Sequence, residues 1–341
     1  MKALKTLALI LALALTLTAC GAIRSDGEPT EAAGGSQPTE SQEPAQPEGE
    51  APAGEDSIQS EAIRVGALKG PTAMGMVRMI SDGGVNRYTL AGSADELTPM
   101  LIKGELDVAC VPANLAAVLY NKTEGQIVTL AVNTLGVLYI VENGGESVQS
   151  MADLKGKTIA AAGKGSTPEF GLRYLLEQNG LDPDRDVTVD WKSEHAECVA
   201  ALAAGTADIA LLPQPFVTVA QGKLENLRVA LDLTEEWDAL DNGSAMITGV
   251  AVARRDLVEE NPEAVERFLY YYADSVDWVN ANPKDAAALI ADYGIVESAA
   301  VAEKALPHCN IVCLTGQEMF KKLSGYLQVL AEENPESVGG Q

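Results

Sequence analysis

Ile63-Arg64-Val65-Gly66-Ala67-Leu68-Lys69-Gly70-Pro71-Thr72-Ala73-Met74-Gly75-Met76 is the stretch on which the fold turns. An apolar run ends at Lys69-Gly70, and Pro71 stands where a first helical turn would begin. Its missing N–H is no loss there, and its fixed φ suits a helix. The phrase predicts a strand that delivers the chain to a helix N-terminus, with free N–H groups and a lysine facing outward. A second copy follows: Thr158-Ile159-Ala160-Ala161-Ala162 runs through Gly163 into Lys164-Gly165-Ser166-Thr167.

The surroundings of the two copies match as well. Ser93 to Asn114 aligns with Ser193 to Pro215, and Gly104, Asp107 and Pro112 of one recur as Gly205, Asp208 and Pro213 of the other. Each unit reads helix, small residue, acid, apolar strand, Pro-containing turn. Strands alternating with helices at this spacing predict parallel βαβ units. The expected fold class is α/β: two similar lobes with mainly parallel sheets around a central cleft, followed by a helical C-terminal extension. Helices are expected at 73–80, from Ser93 with Glu96 as capping box to Lys103, and at 196–204. Ile127 to Val141 reads as two strands broken near Asn133-Thr134-Leu135-Gly136. Met246 to Ala253 is a further strand, and no element is assigned between Pro215 and Met246. Asn261-Pro262-Glu263 opens a helix in which Val265, Phe268, Leu269, Tyr272, Val276 and Val279 follow helical spacing. Three more helices fill the rest of the chain.

The chain has 341 residues, 47% hydrophobic and 21% charged, enough for more than one core. Residues 1–20 read as a targeting segment, with Lys2 and Lys5 ahead of an apolar run and Leu17-Thr18-Ala19-Cys20 as the cleavage site. Residues 21–61 set ten acids against the single base Arg24 and add five prolines without apolar periodicity; they read as a solvated tether. A formal net charge of −25 without basic runs argues against a nucleic-acid partner and against adhesion to anionic lipid.

Ligands of open α/β sheets sit beyond the carboxyl ends of the strands. The turns expected there carry Lys69, Gly70, Pro71, Thr72, Asn114, Asn133 and Thr134 from one lobe. The other lobe offers Gly165, Ser166, Thr167, Glu194, His195 and Gln214. Two helix N-termini and the lysines Lys69 and Lys164 suit an anionic group; the alternative is that both lysines are simply solvated. Glu194-His195 is the one place resembling acid–base machinery, yet no nucleophile stands at a matching turn, so no catalytic residue is assigned. Cys309, Cys313 and His308 are too few for a zinc site; the two cysteines pair or stay free thiols, and no metal or cofactor is expected. GxGxxG and Walker A patterns are absent.

These residues together resemble bacterial ABC-transporter substrate-binding lipoproteins. The leader with Cys20, the acidic tether, the strand–Lys-Gly–helix start and Asp153-Leu154-Lys155-Gly156-Lys157 before a strand carry the likeness. Gly165-Ser166-Thr167, Ala207-Asp208-Ile209-Ala210 and Asn261-Pro262-Glu263 are similar to the nitrate/sulfonate/taurine-type branch. The resemblance implies a type II periplasmic-binding-protein fold, with lobe I at 62–142 plus 246–341 and lobe II at 143–245. It implies a monomeric receptor on the outer face of the cytoplasmic membrane, lipidated at Cys20, that takes a small sulfonate, other organic anion or heterocycle. Its partners would be the permease and ATPase subunits of an ABC importer. Two rivals remain at this stage: a two-lobe enzyme of the menaquinone-pathway type, and a surface lipoprotein that docks a protein.

Overall fold

β1 (Arg64–Leu68) is a strand because both of its faces are buried. Val65 and Ala67 are fully covered on one side; on the other, a Cβ at Gly66 would come within 2.6 Å of Leu106. The structure, a computed structural model, describes residues 62–340. The expected leader, the tether and Cys20 lie outside the described residues.

From β1 the chain runs through α1 (Pro71–Met74), α2 (Val77–Ser81), β2 (Arg87–Ala91), α3 (Ala94–Ile102), β3 (Val108–Pro112), α4 (Ala113–Lys122) and β4 (Ile127–Leu135). It then crosses to a second sheet with β5 (Leu138–Asn143), β6 (Thr158–Ala162), α5 (Thr167–Gln178), β7 (Thr188–Lys192), α6 (His195–Ala203), β8 (Ile209–Pro213), α7 (Phe216–Lys223), β9 (Leu227–Asp232) and α8 (Leu233–Asp238). β10 (Ile247–Arg254) returns to the first sheet. After it come α9 (Arg255–Glu260), α10 (Pro262–Ala281), α11 (Pro283–Asp292), α12 (Ala299–Ala305), β11 (Ile311–Leu314) and α13 (Gly316–Glu333).

The first sheet has the order β11-β4-β10-β3-β1-β2 and the second β7-β6-β8-β5-β9. Read from β2, the run β2-β1-β3-β10-β4 has the same plan as β7-β6-β8-β5-β9, so the repeat in the sequence is a repeat of topology. The βαβ units are parallel, as β1 with β2 and β3, and β6 with β7 and β8. The strands that follow each crossing run the other way: β10 is antiparallel to β3 and β4, and β5 to β8 and β9. Each sheet is therefore mixed rather than mainly parallel, because a chain entering a lobe from the cleft end must run away from it.

Several boundaries differ from expectation. The helix expected over 73–80 is two short ones, because the Ser275 hydroxyl from α10 takes the Gly75 carbonyl at 2.7 Å and accepts from Met79 N at 3.2 Å. β5 hydrogen-bonds in the second sheet, so the first crossing falls at Gly136-Val137, ahead of the expected boundary after residue 142. Asn133 and Thr134 lie inside β4 and not in a turn. Between Pro215 and Met246, where no element was expected, the chain forms α7, β9 and α8.

Alternate residues of each strand feed different cores. Cys110, Ala131 and Ala251 pack under α10 to α12 in a core belonging to the first lobe. Tyr139, Ala160 and Leu212 pack with α6 and α7 in a core of the second. The opposite faces of both sheets share one core: Leu97, Val111 and Val250 of the first lobe and Ile140, Ile159 and Leu211 of the second join through Trp237, Met246, Tyr326 and Leu330. Within the described residues no helix is long and apolar enough to cross a membrane.

Candidate functional site

The turns after β1, β2 and β3 and those after β6, β7 and β8 all lie at strand carboxyl ends, the end at which the chain crosses between the two sheets. In the first lobe Gly70 adopts φ 100°, a conformation that favours glycine, and hands the chain to Pro71 at the start of α1. Lys69 is exposed beside Gly294. Thr72 is 7% exposed; its hydroxyl donates to Leu68 O at 2.9 Å and its carbonyl accepts from Asn133 Nδ2 at 3.4 Å. Asn133 and Thr134 are fully buried, and the Thr134 hydroxyl donates to Asn133 Oδ1 at 3.0 Å. A Cβ on Gly249 would come within 2.5 Å of both Asn133 Oδ1 and Thr72 Cγ2, which is why β10 carries a glycine here. Thr72, Asn133, Thr134 and Gly249 thus form one interlocked floor, and the two β4 residues support the surface from beneath. Asn114 donates from Nδ2 to Ser337 O at 3.3 Å, which ties α4 to the C-terminal turn.

In the second lobe Gly165 is exposed with φ 76°, and its N–H already donates to Glu169 Oε2 at 2.6 Å. The Ser166 hydroxyl turns back to Gly163 O at 2.6 Å. Thr167 opens α5, a helix packed against α13. Glu194 is exposed and caps α6 without a side-chain bond. Gln214 is 4% exposed; its Oε1 accepts from the Thr218 hydroxyl at 2.9 Å, which leaves its Nε2 donor without a hydrogen bond. Lys164 lines an outer groove with Glu169, Arg173 and Trp191, apart from the turn after β8.

A pattern separates these helix starts. The carboxylates of Glu96, Glu169 and Glu197 each take backbone N–H groups at their own helix N-terminus, at Gly92 and Ser93, at Gly165 and at Ser193. Any anion approaching α3, α5 or α6 meets that charge first. α1, α4 and α7 have no acid in the first turn and follow the inner strands β1, β3 and β8. The sequence reading picked α1 and α5 as the anion-holding pair; the capping geometry favours α1, α4 and α7. The capping box read at Ser93 forms; the one read from Ser166 and Glu169 does not, because Ser166 Oγ turns to Gly163 O and Glu169 accepts from Gly165 N. α7 was missed because no periodic pattern marks Phe216 to Lys223.

His195 is the first residue of α6 and packs at a tilt against Phe216 of α7, ring centroids 5.3 Å apart, with Nδ1 buried and unpartnered. Burial holds its pKa below the ordinary 6.5, so the ring is neutral at pH 7. The unfolded chain protonates first. His195 therefore contributes no penalty above pH 6.5 and destabilises the fold increasingly as pH falls below it. The expected result is that His195→Gln flattens the loss of urea midpoint between pH 6.5 and about 5. An unchanged slope would show that the imidazole titrates freely.

The sequence pattern of a family described as "ABC transporter, phosphonate, periplasmic substrate-binding protein" matches residues 86–305. A binding protein of Brucella abortus is 28% identical over 219 residues, 63% of this chain, and the chain spans 65% of that relative's length. The fold is similar to an ABC transporter protein of Parabacteroides distasonis, with a TM-score of 0.71 and 26% identity over 82% of this chain and 95% of that one. It is also similar to the periplasmic aliphatic sulphonate-binding protein of Escherichia coli, with a TM-score of 0.65 and 19% identity over 82% and 90%, a likeness of fold alone. With the match covering well over half of the chain, and the two mixed sheets bearing it out, the chain belongs to the family of phosphonate-type periplasmic substrate-binding proteins of ABC transporters.

Proposed function

We propose that the protein is an extracytoplasmic receptor that captures a small organic solute between its lobes and delivers it to an ABC importer. Lipidation of Cys20 would hold it on the outer face of the membrane. The observation that carries the reading is the division of helix starts: three are closed by their own glutamates, whereas α1, α4 and α7 have no acid in the first turn, and at α7 it is the neutral Gln214 Oε1 that accepts from Thr218 N at 3.4 Å. Open first turns backed by a buried floor suit a sulfonate, a phosphonate or another small organic anion, the classes named for the family and for one fold neighbour. Lys69 and the α1 turn Gly70-Pro71-Thr72 would grip one side. Gln214 through Nε2 and His195 would grip the other, while Asn133 and Thr134 brace the floor. Gly165, Ser166 and Asn114 would take part only if their present partners are displaced, while Thr167 lies beside the Glu169 carboxylate and Glu194 is itself a carboxylate, so neither favours an anion.

The expected result in a thermal-shift and calorimetric panel of alkylphosphonates, alkanesulfonates, carboxylates and pyrimidines is saturable binding of one class. Lys69→Ala or Gln214→Ala should weaken it about tenfold each, the loss of one charge-assisted hydrogen bond. No response across the panel, or equal binding by both variants, would count against the site.

A further inference from the structure

The two faces of the crossing region are built differently. On one face, α13 and α8 weld the lobes into a shared core: Trp237 lies between Tyr174 of α5 and Tyr326 of α13, at centroid distances of 4.7 and 5.5 Å. Arg173 of α5 also lies 3.9 Å from Glu333 of α13. On the other face the cores are separate, one lobe ending at Leu306 and Cys309, the other at Tyr139 and Val217. There α12 rests against α7, and the Tyr139 hydroxyl of β5 donates to His308 O at 2.8 Å. Tyr139 is 4% exposed, and burial pushes its phenol pKa well up, so the donor stays protonated across the working pH range. The strand that carries Tyr139 starts directly after the crossing at Gly136, whose carbonyl accepts from Asn310 Nδ2 at 2.6 Å.

We infer that lobe motion pivots about the α13–α8 face, and that the Tyr139–His308 hydrogen bond is the latch holding the α7–α12 face shut. The reason is energetic asymmetry. Separating the lobes at α13 would expose a continuous apolar core, including the fully buried Trp237 and Tyr326. Separating them at α7 breaks one hydrogen bond to a backbone carbonyl and the α7–α12 helix contact, with no core shared across it. Motion follows the weaker face. The inference assigns Tyr139 a positioning role in solute capture and rests on the receptor reading above for its purpose, though not for its geometry.

The test needs no solute. Spin labels are placed on the full-length protein through genetically introduced keto side chains, which leaves its thiols untouched. One pair occupies Lys223 and Lys304, at the ends of α7 and α12; the other occupies Gln178 and Glu332, on α5 and α13. All four positions are exposed. Pulsed dipolar spectroscopy then compares the wild-type chain with Tyr139→Phe, which keeps the ring and removes the donor. A net hydrogen bond is worth about a fivefold change in a two-state ratio, so the population with a long 223–304 distance should rise about fivefold. The 178–332 distance should stay fixed. An unchanged 223–304 distribution removes the latch, and equal shifts in both pairs remove the pivot. Because neither distance depends on solute, a failed ligand screen would overturn the receptor reading and leave this result standing.

Discussion

Trp237→Ala is expected to cost about 4 kcal/mol of folding stability, the usual loss for a large buried aromatic. Trp237 is fully buried, flanked by Tyr174 and Tyr326, and its indole N–H donates to the Ser244 hydroxyl at 2.9 Å. Removing the ring opens a cavity where two lobes and the last helix meet, so neither lobe can collapse into it alone. In thermal unfolding this corresponds to a fall of roughly 10 °C for a chain of this size. Trp237→Phe, which keeps ring contacts and loses the Ser244 bond, should cost about half as much. Phe320→Ala makes the control, since Phe320 sits on α13 with 65% of its surface exposed and should change stability by under about 0.5 kcal/mol. Comparable losses for Phe320→Ala and Trp237→Ala would mean that the shared core is not where the lobes are joined.

The second large effect concerns Glu142 at the end of β5. Its carboxylate is 3% exposed and accepts from Arg228, from Ser147 N at 3.0 Å and Oγ at 2.6 Å, and from Val148 N at 3.3 Å. Burial alone would push its pKa up; the hydrogen bonds from Ser147, Arg228 and Val148 outweigh burial and hold it below the usual 4.5. Arg228 also donates to Val148 O at 2.5 Å and Gly145 O at 2.9 Å, stitching the loop after β5 to β9. Arg228→Leu strands a buried carboxylate and is expected to cost about 3 kcal/mol at pH 7. The sign with pH is distinctive. In the native protein the stabilisation from Glu142 is complete above 4.5 and falls as pH drops through its depressed pKa. Without Arg228 burial dominates and the pKa rises, so the deficit of the variant should shrink as pH is lowered towards 4.5 and Glu142 takes up a proton. Adding Glu142→Gln should recover part of the loss at pH 7. A deficit that is flat from pH 7 to pH 4.5 would assign the loss to the missing loop contacts instead of the charge.

Much of the fold was legible because its signals are local. Gly70-Pro71 announced a helix start, Ser93 with Glu96 a capping box, and Gly104 and Gly205 helix ends, all confirmed by the geometry. The repeat of Asp107-to-Pro112 as Asp208-to-Pro213 identified equivalent strands of two sheets. Less legible was whatever depends on distant residues. Ser275 splits the first helix from a point 200 residues away in sequence. Asn133 and Thr134 look like turn residues, yet they lie in a central strand where Thr72 and Gly249 close around them. β9, Leu227-Arg228-Val229-Ala230-Leu231-Asp232, hides its pattern because Arg228 turns inward to a carboxylate that no local rule anticipates. Of the candidate site residues, the α1 turn and Gln214 were proposed from strand ends alone, and they do follow directly on β1 and β8. The closing of α5 by Glu169 was written in Ser166-Thr167-Pro168-Glu169, and reading it only as a cap missed that it also repels an anion.

The placement of α13 has a consequence for how the chain comes into being. The first lobe is assembled from the first and last parts of the described sequence, and Leu323, Tyr326, Val329 and Leu330 of the last helix complete the core common to both lobes. A chain emerging from its N-terminus can pair β1, β2 and β3 early, but β10 and α13 arrive only at the end. Until then the shared core lacks a wall, and the apolar faces of β4, β5 and α5 stay open to water. For the exported receptor proposed above, that delay would keep the chain extensible until it is released from a translocation channel. A truncation before residue 316 should therefore give a chain that shows no cooperative thermal unfolding transition.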